Sequence, residues 1–201
     1  MDERATASVR RKYDRNARFF DRMDRMVRDE WRAGVSARAA GAVLEVGVGT
    51  GNNLPFYHPD VTTQLVGIDL SPQMLAGSRY KVCRVPVRLM EMDAQRMAFA
   101  DGTFDTVVAT CVFCTVPDPV QGLREVRRVC KPGGRVILLE HVRLDRPIAG
   151  RLMDALDPLV AGLIGTHINR RTVDNARTAG LTVGSVERLR GDLVLLIEAT
   201  P

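Results

Sequence analysis

From residue 42 onward, short apolar runs alternate with segments whose apolar positions recur every three or four residues. "AVLEVG" (42–47), "QLVGIDL" (64–70), "PVRLMEMD" (86–93), "FDTVVATCVF" (104–113) and "RVILLEHV" (135–142) have the length and composition of buried strands. Between them, "SPQMLAGSRYK" (71–81) starts as a helix does, with Ser71 as cap and Pro72 in the first turn. "PDPVQGLREVRRVCKPGG" (117–134) is the second clear helix: Asp118 caps it, Pro119 begins it and "KPGG" stops it. Strands alternating with helices predict a parallel sheet with right-handed crossovers. The C-terminal stretch "LTVGSVERLRGDLVLLIEAT" (181–200) breaks the alternation, because its two strand-like runs are joined only by a tight "RGD" turn. So short a link can make only an antiparallel pair. The expected sheet is therefore parallel with one reversed strand near its end.

Residues 1–42 follow another pattern. Val9, Tyr13, Ala17, Phe20, Met23, Val27 and Trp31 recur at three- and four-residue steps, an apolar stripe on a helix. Around the stripe the segment is heavily charged, with ten basic against seven acidic residues between Met1 and Arg32. That is a net +3 out of the +5 carried by all 201 residues. The excess permits attraction to nucleic acid or anionic lipid without establishing either. The opening residues lack the apolar core of a signal peptide, and stretches such as "PLVAGLIG" fall far short of the ~20 residues that cross a bilayer. These features predict one domain in a soluble, cytoplasmic protein whose four cysteines are reduced thiols.

The chemistry concentrates in "VLEVGVGTGNNLPFY" (43–57), where Gly47, Gly49 and Gly51 follow the first strand. A dinucleotide fingerprint needs G-x-G-x-x-G, but Asn52 stands where its third glycine belongs. No Gly-Lys-Ser/Thr follows to make a P-loop. The loop can still bring backbone close to a ligand. Asp69 ends the second strand, where a carboxylate can accept from both ribose hydroxyls, and Asp93 ends the third, within reach of an adenine amino group. The guest that fits is a nucleoside without a diphosphate.

"LEVGVGTG", "GIDLSPQML", "MDAQRMAFADGTFDTVVAT" and "EVRRVCKPGGRVILLEH" resemble, in order and spacing, the motifs of class I S-adenosylmethionine-dependent methyltransferases over roughly residues 9–200. The chain is most similar to the branch holding quinone, bacterial phosphatidylethanolamine N- and thiol methyltransferases. The resemblance implies a Rossmann-like α/β fold, a seven-stranded sheet with its last strand antiparallel and helices on both faces. It implies a methyltransferase domain over residues 43–201, preceded by a helical lid or membrane-contacting segment at 1–42. Glu45 and the loop of Gly47, Gly49, Thr50 and Gly51 would surround the methionine part of S-adenosylmethionine. Asp69 would hold the ribose, with Leu70 and Met74 beside the adenine and Asp93 and Ala94 at its edge. Thr110 and Cys111 would line the site near the sulfonium.

A sulfonium is already a strong methyl donor, so the protein must mainly align donor and acceptor at ~3–3.5 Å and exclude water. An amine acceptor must also lose a proton, and a thiol must react as thiolate. Candidates for this work are His141, which closes the fifth strand, His167 in "GTHINRRT", and Tyr13, which similar enzymes fold over the cofactor. His58 reads as a surface loop residue. Cys111 and Cys114 have C-x-x-C spacing but lack the second pair of a zinc site, so small apolar packing is the expected role.

The basic amphipathic segment, residues 9–32, suits either a lid or the surface of an anionic membrane. "LDPLVAGLIGTHI" adds an apolar stretch beside the presumed acceptor site. The expected reaction is methyl transfer to a small-molecule or lipid-like acceptor, a phospholipid head-group amine or a prenylated quinone. A small alkyl thiol is the runner-up, arsenite a remote one, and a catalytically silent binder the alternative of another class. Specific nucleic-acid recognition is not expected, since no Asn-Pro-Pro-Tyr-type clamp follows the fourth strand and only ten aromatics are present.

Overall fold

The inner strands form where runs of β-branched residues and leucine can be buried on both faces of a sheet. The computed structural model describes residues 3–24 and 27–201, leaving out the side chains of residues 16–19, 21, 23 and 24. In chain order the strands are β1 (Gly41–Val46), β2 (Thr62–Asp69), β3 (Val87–Glu91), β4 (Phe104–Thr110), β5 (Cys130–His141), β6 (Thr182–Arg188) and β7 (Val194–Thr200). The helices are α1 (Glu3–Asp24), α2 (Asp29–Ala37), α3 (Pro72–Ser78), α4 (Pro119–Val129), α5 (Pro147–Ile164) and α6 (Thr172–Thr178).

The seven strands make one sheet in the order β3-β2-β1-β4-β5-β7-β6. Every neighbouring pair from β3 across to β5 is parallel, and β7 runs antiparallel to both β5 and β6. This is the class I methyltransferase arrangement expected from the sequence, with the short Arg190–Asp192 turn forcing the reversal. Alternate side chains serve two cores. Leu44, Val107 and Leu138 pack with Leu123 and Val126 of α4 and Ala176 of α6, whereas Val43, Val108 and Ile137 pack with Val35 of α2 and Leu75 of α3.

Both caps read from the sequence are made. Ser71 Oγ accepts from the Met74 amide at 3.2 Å, and Asp118 Oδ1 from the Gln121 amide at 2.9 Å. Four boundaries differ from expectation. The helix expected to run up to "KPGG" ends at Val129, because Cys130 is already extended and buried, paired with Phe104. The "KPGG" that was to stop it forms an irregularity in β5, whose register with β4 shifts before Thr106 meets Arg135. β4 stops at Thr110 rather than continuing to residue 113, since Cys111 takes the left-handed conformation, φ 55°. The N-terminal stripe spans two helices, with Arg28 extended as the N-cap of α2; the side chains of Ala17 and Met23 lie outside the described residues. The apolar stretch around residues 156–168 belongs to an 18-residue helix that the alternation did not single out.

The sheet's connections run outward in opposite directions from β1 and β4, so the carboxyl ends of these two strands open a crevice. The fold makes a ranking testable. Leu138→Ala in the fully buried centre of β5 is expected to cost about 2–5 kcal/mol, and Asp118→Ala at the α4 cap about 1 kcal/mol. Urea denaturation of the two variants checks the order, and equal losses would contradict this account of the core.

Candidate functional site

A cavity of about 380 Å³ occupies the crevice and is walled by the chain leaving β1, β2, β3, β4 and β5. Of the residues singled out in the sequence, Tyr13, Glu45, Gly47, Gly49, Thr50, Asp69, Leu70, Met74, Asp93, Ala94, Thr110, Cys111 and His141 all line it. Gly51 and His167 do not.

The glycine loop is built on positive φ angles, 65° at Gly47, 56° at Gly49 and 79° at Gly51, which side chains disfavour. A Cβ on Gly47 would sit 2.5 Å from Val112 Cγ2 in the wall. At Gly51 it would instead meet Leu54 Cδ1 at 2.8 Å and Ser78 Cβ at 2.9 Å. Gly51 therefore seats the loop on α3, a packing role where a ligand contact was expected.

Asp69 holds the loop from the other side. Its Oδ2 accepts from the Gly49 amide and its Oδ1 from the Ser71 amide, each at 2.9 Å. Burial pushes the carboxyl up to about 6, against the pull of these amides, with the nearby Asp14 adding to the rise. Asp93 accepts from the Gln95 amide at 2.9 Å and from the Gln95 side chain at 3.1 Å, which fixes its carboxylate at the end of β3.

The sequence reading missed two residues of the wall. Arg32 of α2 is buried and donates from Nη1 to Asn53 Oδ1 at 2.6 Å. Asn53 in turn donates from Nδ2 to Glu45 Oε1 at 2.8 Å and to Thr110 Oγ1 at 3.0 Å. One amide thus joins α2 to the ends of β1 and β4. The "NN" after the glycine loop was a visible signal for Asn53, whereas Arg32 was hidden among the many arginines of the N-terminal segment.

α1 lies over the cavity. Val9, Tyr13 and Phe20 line it from α1, and Val27 and Trp31 from the segment that follows, so these five positions of the stripe read as lid or membrane contact turn inward. Tyr13 stacks on Phe20 with centroids 3.9 Å apart, and burial raises its phenol far above the ordinary value, keeping it protonated. Polar bonds fasten the helix. Ser71 Oγ donates to Asp14 Oδ1 at 2.6 Å, Arg10 Nη2 meets Glu91 Oε1 at 2.6 Å, and Lys12 Nζ donates to the Ala161 carbonyl at 2.9 Å.

The far wall follows β4. Cys111 lines the cavity, while Cys114 donates from Sγ to the Cys111 carbonyl at 3.3 Å and is held protonated by burial. Neither cysteine is in a disulfide. His141 faces the cavity with its imidazole pushed toward the neutral form by burial. His167 turns away: its Nδ1 lies 2.8 Å from Asp157 Oδ2, and Asp157 Oδ1 also accepts from the Ile168 amide at 2.7 Å. A brace replaces the catalytic role expected of it.

Behind the wall, Glu140 Oε1 accepts from the Val112 and Phe113 amides at 2.9 and 3.1 Å, while its buried Oε2 meets no partner among the described residues. Burial pushes this carboxyl up to about 7. Its folded value lies above the ordinary 4.5, so its contribution to stability is complete below about pH 4.5 and is lost as pH rises through 7. Glu140→Gln does not titrate, so between pH 5 and 8 it should gain on the wild type by roughly 2–3 kcal/mol. Denaturation of both proteins at the two pH values measures this; parallel losses would contradict it.

Comparison with known proteins agrees with the geometry. Residues 44–138 match the family described as methyltransferase domain. The chain is 43% identical over 150 residues to a phosphatidylethanolamine N-methyltransferase of Cereibacter sphaeroides, covering 71% of this chain and 72% of that one. It is 39% identical over 119 residues to a demethylmenaquinone methyltransferase of Deinococcus radiodurans, covering 55% of this chain and 48% of the other. Among solved structures, a chain from the complex between the Haloferax volcanii Trm112 methyltransferase activator and a methyltransferase superposes with a TM-score of 0.72, 20% identity and 96% of each chain covered. A glycine loop, two carboxylates at adjacent strand ends and these relatives lead to one conclusion: the chain belongs to the S-adenosylmethionine-dependent methyltransferases.

Proposed function

We propose that this methyltransferase acts on a lipid-like acceptor, a phospholipid head-group amine of the phosphatidylethanolamine kind or a prenylated quinone. The observation that carries the reading is the apolar part of the cavity lining, where Phe20, Trp31, Ile164, Ile168, Leu193 and Val194 share the wall with a neutral His141. Such a lining suits a greasy acceptor, and the likeness to a phosphatidylethanolamine N-methyltransferase supports the amine.

The residues present fit the cofactor. Asp69 and Asp93 would offer carboxylate acceptors to ribose hydroxyls and an adenine amine, Leu70, Met74 and Ala94 would offer apolar surface to the ring, and Glu45, Gly47, Gly49 and Thr50 would hold the methionine end. Bound S-adenosylmethionine supplies a methyl carbon made electrophilic by its sulfonium. Thr110 and Cys111, in the lining at the end of β4, would lie beside that group. Tyr13, protonated, can donate one hydrogen bond from the lid, and residues 1–42 exclude water as that lid. His141 takes the proton that an ammonium acceptor must lose before it has a lone pair, and its low basicity keeps a ring nitrogen free to do so.

Labelled S-adenosylmethionine offered with phosphatidylethanolamine, demethylmenaquinone and short alkyl thiols should leave label in lipid. Label in the thiol alone would overturn the reading. Calorimetry of the cofactor analogue sinefungin tests the ribose role. Asp69→Ala should weaken binding by about 1–3 kcal/mol. Wild-type affinity should also fall as pH drops through about 6, where the Asp69 carboxylate takes up its proton and loses charge-assisted bonding. Unchanged affinity in the variant, or a flat wild-type profile, would remove Asp69 from that role.

A further inference from the structure

Helices in proteins draw most of their stability from burying an apolar face. α5 does the reverse. Over 18 residues it buries only Gly150 and Asp157. Ile148, Leu152, Leu156, Leu159 and Leu163, spaced four, four, three and four apart, share one face and are 43–86% exposed. Asp154 and Asp157, the acids of this helix, lie off that face: Asp154 is paired with Arg143 at 2.7 Å, and Asp157 is buried against His167.

Arginine and lysine border the stripe, with the carboxylates Asp145 and Asp192 among them near its first turn. Arg151 stands beside it with no carboxylate within 4.0 Å among the described residues, and exposed Arg146, 4.0 Å from Asp192, precedes the first turn. At the other end Lys12 of α1 reaches the Ala161 carbonyl and packs over Gly165, with Arg11 and Arg15 exposed on either side of it in sequence. The stripe also runs into the cavity. Leu163 is exposed, whereas Ile164, Thr166 and Ile168 line the interior, and exposed Arg190 lies at the same lining.

We propose that the outward face of α5 docks on the surface of an anionic lipid bilayer. An apolar stripe flanked by arginine and lysine is the composition that lies in the headgroup layer, leucines down and cations toward lipid phosphates. Spanning is excluded for α5, since no described helix is long and apolar enough to cross a membrane. Docked this way, the C-terminal end of α5 brings the cavity rim to the lipid. That orientation rests on the lipid-acceptor reading, whereas docking itself rests on the helix face alone.

The test is co-sedimentation of the full chain, without cofactor, with vesicles of phosphatidylcholine alone and of phosphatidylcholine mixed with phosphatidylglycerol. The wild type should partition onto the mixed vesicles, and less so as salt rises. Leu152→Gln combined with Leu159→Gln should lower the partition coefficient at least ~10-fold, and Arg151→Glu about 5-fold or more. All three side chains are exposed, so thermal melting should stay within a few degrees of the wild type. Methyl transfer to a short-chain phosphatidylethanolamine dispersed as monomers should survive in the variants, which separates failure of docking from failure of the acceptor reading. Equal binding by wild type and variants would overturn the proposal. So would a wild-type dimer that ignores vesicles and that the glutamine substitutions dissociate, because the face would then belong to a second copy of the chain.

Discussion

Two segments that leave the sheet side by side, after β1 and after β2, are fastened to one carboxylate. Asp69 accepts from Gly49 with one oxygen and from Ser71 with the other, and on these two bonds the cavity's shape depends. They hold the glycine loop at φ angles that only glycine adopts readily. Through Ser71, whose hydroxyl also caps α3 and donates to Asp14, the same carboxylate is coupled to the helix lying over the cavity. Each carboxylate oxygen can accept more than one bond, so the group that shapes the loop keeps capacity for a ligand's hydroxyls. Burial raises its pKa to about 6, a sign of how little water compensates its charge.

Other buried carboxylates repeat the device around the cavity. Glu45 accepts from Asn53, Glu140 from two successive amides after β4, and Asp157 from the Ile168 amide and beside His167. The wall loops anchor apolar side chains such as Phe113 and Leu54 in the core, and hydrogen bonds to carboxylates fix their backbone beside the cavity. A buried charge costs several kcal/mol without partners, and two or three amide donors offset much of that. Where compensation is incomplete, as at Glu140 with its unpartnered oxygen, the carboxyl is pushed up to about 7.

The six α-helices among the described residues do not serve one purpose. α2, α3, α4 and α6 bury apolar side chains on the two faces of the sheet and account for its stability. α1 turns Val9, Tyr13 and Phe20 to the cavity instead, joined to its surroundings by the Arg10, Asp14 and Lys12 contacts. α5 turns its leucines outward and is held by Asp157, Arg143 and its left-handed Gly165 cap. Stability thus concentrates in the sheet, and the two helices nearest the cavity mouth are attached by polar contacts.

Local patterns in the chain determined the strands, the two capped helices, the reversed C-terminal pair and the glycine loop with Asp69 and Asp93 at adjacent strand ends. These follow from side-chain periodicity, turn chemistry and parallel connection, none of which needs distant contacts. What only the tertiary structure decided were matters of direction. Gly51 faces α3 rather than the cavity, His167 faces Asp157, Arg32 reaches inward to Asn53, and α5 presents its stripe to solvent. Spacing along a helix fixes which residues share a face, but what that face meets is set by elements far away in sequence, and the sequence pattern is the same whether a leucine stripe points to a core or away from it.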